Sequence, residues 1–91
     1  MSKAKAEKLA KQLGGTLQVD KPSGGGIDVI LSAPDGMMWD GMGDCHYLSL
    51  GTHSKDDVLD GISRADFWAN VVEELEMYIE TGVKPVEGEI E

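Results

Sequence analysis

The sequence predicts a two-layer α+β domain over residues 1–82, with the element order αβββ(β)α and a flexible acidic tail over residues 83–91. Three observations support this. The 91 residues suffice for one domain with a modest core. Helical periodicity at both ends of the domain flanks segments that alternate with a period of two residues. The connections between the alternating segments are short, which favours an antiparallel meander of three to four strands.

The first helix is predicted over residues 3–13. A narrow apolar stripe recurs there at helical spacing, formed by Ala6, Leu9, Ala10 and Leu13. Gly14-Gly15 is a strong stop signal that ends the helix. A helix this short is marginal alone, so we expect packing against the sheet to stabilise it.

Alternating apolar residues predict the strands, and turn-forming residues separate them. The predicted strands are Thr16–Asp20, Ile27–Ala33, a short third strand Met37–Trp39, and Cys45–Leu50. Pro34-Asp35-Gly36 is a turn signal between the second and third strands. We expect Trp39 to fill the core, although a glycine-rich segment with methionine and tryptophan also suits an adaptable binding surface.

The period then returns to that of a helix. Ser54 and Ser63 each precede an aspartate three residues later, a pattern typical of helix N-caps. One helical turn is predicted after Ser54, and a long helix after Ser63 that continues to about Glu80. Its apolar face comprises Trp68, Val71, Val72, Leu75, Tyr78 and Ile79.

The charge of the chain is strongly asymmetric. The net charge is -9, yet residues 1–21 hold five lysines against two acids, whereas residues 22–91 hold three cations against 15 acids. A surface this negative repels phosphate backbones, so direct nucleic-acid binding is disfavoured and a basic protein partner is favoured. That partner class includes nucleic-acid-binding proteins, which the chain would engage as a nucleic-acid mimic.

Cysteine content and hydropathy indicate the compartment. The single cysteine, Cys45, excludes an internal disulfide, which favours a reducing environment. Neither a secretory signal nor an apolar run long enough to span a membrane is found. We therefore expect a cytoplasmic protein.

The candidate partner-binding residues lie mainly on one side of the long helix. Acidic residues there stand opposite the apolar face, and no lysine or arginine lies between Ala65 and Val83. We expect these acids to bind a basic partner, with an exposed methionine as an apolar anchor and the 40–44 loop beside them. The candidate residues are Asp66, Glu73, Glu76, Glu80, Met77, Asp40, Met42 and Asp44.

Two alternatives remain open. A structural homodimer would form by pairing of edge strands. A metal- or thiol-dependent site would use Cys45, His46 and His53, but their spacing matches no zinc or calcium pattern, and adjacent strand residues point to opposite faces. We expect no cofactor and no enzymatic activity, because no catalytic motif is present.

Overall fold

A computed structural model describes residues 2–21, 25–40 and 45–87. It confirms the α+β class, with an N-terminal helix, antiparallel strands and a longer C-terminal helix. The elements are α1 (Ser2–Gln12), β1 (Thr16–Asp20), β2 (Ile27–Ser32), β3 (Met37–Trp39), β4 (Tyr47–His53), α2 (Lys55–Leu59), α3 (Arg64–Thr81) and β5 (Pro85–Glu87).

The main sheet is antiparallel, with β2 between β1 and β4. Its register runs from Thr16 opposite Ser32 to Asp20 opposite Asp28, and an irregularity between Val29 and Ile30 shifts the pairing with β4. Successive side chains alternate between a buried face and a more exposed one, as the pleat requires. The helices cover the apolar face, which gives the predicted two layers.

Strand β4 is displaced from its predicted position. The prediction began at Cys45 and ended at Leu50, but the strand runs from Tyr47 to His53. Cys45 instead forms an isolated bridge to Trp39, whose N–H donates to the Cys45 carbonyl at 2.9 Å. His53 therefore ends the strand, where it is almost fully buried.

A second, two-stranded sheet joins β3 to β5, so β3 does not belong to the main sheet. Met37 stands opposite Glu87 and Trp39 opposite Pro85. The sequence predicted a flexible tail from residue 83, and for Pro85–Glu87 this was wrong. A segment of three residues that includes a proline is too short to show the alternation that predicts a strand. Only its pairing with β3 defines it as one.

Trp39 lies at the centre of the core, as predicted. It is fully buried, and its indole N–H donates to the Leu31 carbonyl at 3.2 Å. A Cβ added at Gly15 would lie 2.6 Å from the Trp39 ring, so this glycine permits the close approach of α1's end to the ring. Trp39 thus ties the second sheet to the main one.

Helices α1 and α3 pack against each other over the sheet. Ala6 and Ala10 are fully buried in α1, and their small side chains allow close helix contact. Helix α3 begins at the predicted N-cap, where Ser63 Oγ accepts from the Asp66 N–H at 3.1 Å, and ends at Gly82 in the left-handed conformation. Its buried residues are Phe67, Trp68, Val71, Val72, Leu75 and Tyr78.

Candidate protein-binding surface

Helix α3 presents an acidic face to solvent, which we define as Asp66, Glu73, Glu76 and Glu80. All four are exposed, and they lie opposite the buried apolar face, as the helical periodicity predicts. Three of them, Asp66, Glu73 and Glu80, recur every seventh residue and are therefore about 10 Å apart along the helix axis. The acidic face is thus a regular row of carboxylates on a helix that the core holds in place.

Met77 lies among these acids. It is 47% exposed, although most large apolar side chains of α3 are buried. An unbranched thioether side chain adapts to irregular partner surfaces and is enriched where proteins bind one another. The structure therefore exposes this residue where the sequence placed an apolar anchor.

Lysines of α1 balance one edge of the acidic face. Lys5 Nζ lies 3.9 Å from Glu76 Oε2, and the Lys3 ammonium lies 5.9 Å from the centre of the Trp68 ring. The sequence does not predict this ion pair, because only the packing of α1 on α3 brings its two residues together. Both partners are exposed, so the pair contributes little stability.

The rest of the acidic face has no such balance. Within the ranges that the structure describes, no lysine or arginine nitrogen lies within 4.0 Å of a carboxylate of Asp66, Glu73 or Glu80. Glu73 and Glu80 each stand one or two turns from another acid on the same helix, and these like charges repel. Among the described residues, Asp66, Glu73 and Glu80 are therefore the members of the acidic face that form no ion pair.

Glu74 differs from its acidic neighbours. It is partly buried and accepts a hydrogen bond from the Tyr78 hydroxyl at 3.1 Å. Burial, together with this bond to the Glu74 carboxylate, raises the pKa of Tyr78 to about 12. Glu74 therefore stabilises α3 rather than contributing to the acidic face.

The predicted loop residues lie apart from α3. Asp40 is exposed at the end of β3, and its N–H donates to the Lys84 carbonyl at 2.9 Å. Met42 and Asp44 lie outside the described residues. The structure thus places Asp40 beside the second sheet rather than on the acidic face.

A second exposed surface, which the sequence analysis missed, lies at α2. We define the α2 patch as Val58, Leu59 and Ile62, which are 58%, 83% and 39% exposed. Helix α2 is described in full and has no buried residue. No signal in the sequence revealed this surface, since the periodicity of a five-residue helix does not tell whether its apolar residues reach the core.

The residues of the metal or thiol alternative do not come together. Cys45 precedes β4 and His53 ends it, so roughly 20 Å of strand separates them. His46 Nδ1 lies 2.9 Å from the Met37 carbonyl, whereas His53 is buried in the core. Among the described residues, no group of three or more histidine, cysteine or acidic side chains is arranged to hold a metal ion.

Comparisons with known proteins identify no relative of this chain. No protein-family model matches the chain, and comparison with curated proteins and with solved structures gives no match. Within the described part of the chain, no helix combines the length and apolar character needed to cross a membrane.

Proposed function

We propose that this protein is a non-enzymatic interaction module whose acidic face binds a basic protein surface. The observation that carries the proposal is the row formed by Asp66, Glu73 and Glu80, which is exposed around Met77 and has no cation within 4.0 Å among the described residues. We place this interaction in the cytoplasm, because a chain with a single cysteine forms no internal disulfide and suits a reducing compartment.

Repulsion within the row favours a cationic partner. Glu76 stands three residues after Glu73 and four before Glu80, and each such like-charge pair costs a few tenths of a kcal/mol. Lysines or arginines of a partner would relieve this repulsion and would accelerate association at low ionic strength. Since the buried face of α3 fixes the helix, its backbone needs no ordering on binding, and only the exposed carboxylate side chains lose freedom.

The partner is expected to be a protein rather than a nucleic acid. A net charge of -9 repels phosphate backbones. The same row of carboxylates can occupy the basic surface on which another protein holds phosphates. An inhibitor that competes with nucleic acid for such a surface is the form of this function that we favour.

Salt-dependent capture tests the proposal. The tagged protein is incubated with cell lysate at low and at high salt, and bound proteins are identified by mass spectrometry. We expect a basic protein that binds at low salt and is released at high salt. Capture of no protein at either salt contradicts the proposal.

Two charge-reversal variants make the test specific. The variant E73K/E76K/E80K reverses the acidic face, whereas D20K/D35K/E87K makes the same change in net charge at exposed sites outside α3. Binding should be lost in the first and retained in the second, with unchanged circular dichroism spectra. Equal binding by both variants would mean that only net charge, or no charge, matters.

A homodimer is the second candidate, and one observation favours it. Among the described strands, β1 pairs only with β2, so its other edge can accept a strand from a second copy. Light scattering distinguishes the two candidates, because a stable dimer that captures no partner favours pairing through β1.

A further inference from the structure

We infer that the α2 patch is an apolar anchor that binds a cationic amphipathic segment of a partner protein. This inference rests on the proposed function for the sign of the partner's charge. The contact itself differs from the acidic face, since it is made by Val58, Leu59 and Ile62 and depends on burial of apolar surface.

The side chains of the α2 patch are strongly exposed. Leu59 is 83% exposed and Val58 is 58% exposed, and they are neighbours on one short helix. Single exposed apolar residues are common on protein surfaces, but grouped ones mark sites of interaction. In the next helix, α3, most of the apolar residues are by contrast buried in the core.

Hydrogen bonds fix the start of α2. A helix of five residues, none of them buried, is not stable by itself. A capping box holds its N-terminus: the Ser54 N–H donates to Asp57 Oδ2 at 2.8 Å, and the Asp57 N–H donates back to Ser54 Oγ at 3.4 Å.

The end of α2 is fixed as well. The Ile62 N–H donates to the Asp57 carbonyl at 2.9 Å and the Gly61 N–H to the Val58 carbonyl at 3.0 Å, with Gly61 in the left-handed conformation. The buried His53 ring donates from Nε2 to the Ile62 carbonyl at 2.8 Å. The patch is therefore ordered before any partner arrives, which lowers the entropic cost of binding.

Charge identifies the occupant. Residues 55–66 hold four aspartates against Lys55 and Arg64, and three of those aspartates, Asp56, Asp57 and Asp60, adjoin the patch. A second copy is disfavoured, because a two-fold contact would place the same aspartates against each other. A partner segment with an apolar face flanked by lysine or arginine would bury the α2 patch and pair with the aspartates around it.

Binding to synthetic peptides tests the inference. The probe is a fluorescent amphipathic helical peptide of leucine and lysine, and its control has every leucine replaced by serine. We expect the leucine peptide to bind the wild-type protein, and V58S/L59S to weaken that binding roughly tenfold or more. Tyr47 is 57% exposed on β4 and serves as a matched site, so Y47S should bind as the wild type does.

The outcomes separate this inference from the proposed function. Equal binding of the leucine peptide by V58S/L59S and the wild type overturns the anchor, and so does the absence of any binding to the wild type. The serine peptide reports on charge alone, so E73K/E76K/E80K should weaken it while V58S/L59S should not. If V58S/L59S weakens both peptides equally, the patch is not an apolar anchor.

Discussion

Helices α2 and α3 follow one another in the chain and use their apolar residues in opposite ways. Helix α3 buries six side chains in the core and exposes its acids. Helix α2 buries none of its residues, and the α2 patch faces solvent. The two helices share the same N-terminal device, a serine cap with an aspartate three residues later.

The difference shows that a good cap specifies where a helix starts but not what stabilises it. Burial of apolar surface stabilises α3, at about 1.5–3 kcal/mol for each fully buried large side chain. Local hydrogen bonds stabilise α2, including the bond from the buried His53 to the Ile62 carbonyl. Apolar residues that do not support the core are thereby available to a partner.

The largest expected contrast comes from truncating one leucine in each helix. Leu75 is fully buried, so Leu75→Ala should lower the free energy of unfolding by about 2–5 kcal/mol. Leu59→Ala should change it by less than about 0.5 kcal/mol, since Leu59 makes little core contact. Urea denaturation measures both. A large loss from Leu59→Ala would mean that the α2 patch is structural.

Removing the two serine caps sharpens the comparison. Ser63→Ala should lower the global free energy of unfolding by about 1 kcal/mol, because α3 is part of the core. Ser54→Ala should leave the global value nearly unchanged but speed hydrogen exchange of the Ile62 amide, which bonds to Asp57. Ser54→Thr, which keeps the capping hydroxyl, should restore slow exchange. Unchanged exchange in Ser54→Ala would contradict local stabilisation of α2.

Alkaline pH should remove the stability that the protonated Tyr78 hydroxyl contributes to α3. The pKa of Tyr78 is about 12 in the folded protein against an ordinary value of 10, because its hydroxyl is buried and bonded to Glu74. The folded state holds this proton more tightly, so the associated stability is present below pH 10 and is lost as the pH rises from 10 to 12. Tyr78→Phe should lack that loss. Parallel stability curves for both proteins would contradict this.

Low pH should destabilise α2, and this effect should be smaller than that of alkaline pH on α3. The hydrogen bonds from the Ser54 backbone and hydroxyl hold the pKa of Asp57 below its ordinary value of 3.8. The stabilisation is therefore present above pH 3.8 and is lost as the pH falls through the lowered value. The Ser54 amide resonance should report this titration. Asp57→Asn, which cannot titrate, should give a flat profile in the same range.

Much of the main fold follows from local patterns. The stripe of Ala6 and Ala10 predicted α1, and the alternation of Ile27, Val29 and Leu31 predicted β2, since the apolar period states which face is buried. Phe67 was omitted from the predicted face of α3. It lies in the first turn, where it packs against His53, and that contact depends on where β4 ends.

What the sequence did not predict depends on contacts between distant segments. The pairing of Trp39 with Pro85 and the ion pair of Lys5 with Glu76 each join residues far apart in the chain. The acidic face was predictable because one helix period places all its members together. The exposure of Leu59 was not, since periodicity cannot tell a short helix that reaches the core from one that does not.

The most direct test of the central claim is a calorimetric titration of the captured basic partner against three purified proteins. These are the wild type, E73K/E76K/E80K and the matched variant D20K/D35K/E87K. If the acidic face binds the partner, E73K/E76K/E80K should lose affinity by roughly a hundredfold, while the matched variant should bind nearly as the wild type does. Equal affinities in all three, or equal losses in both variants, would contradict binding through α3.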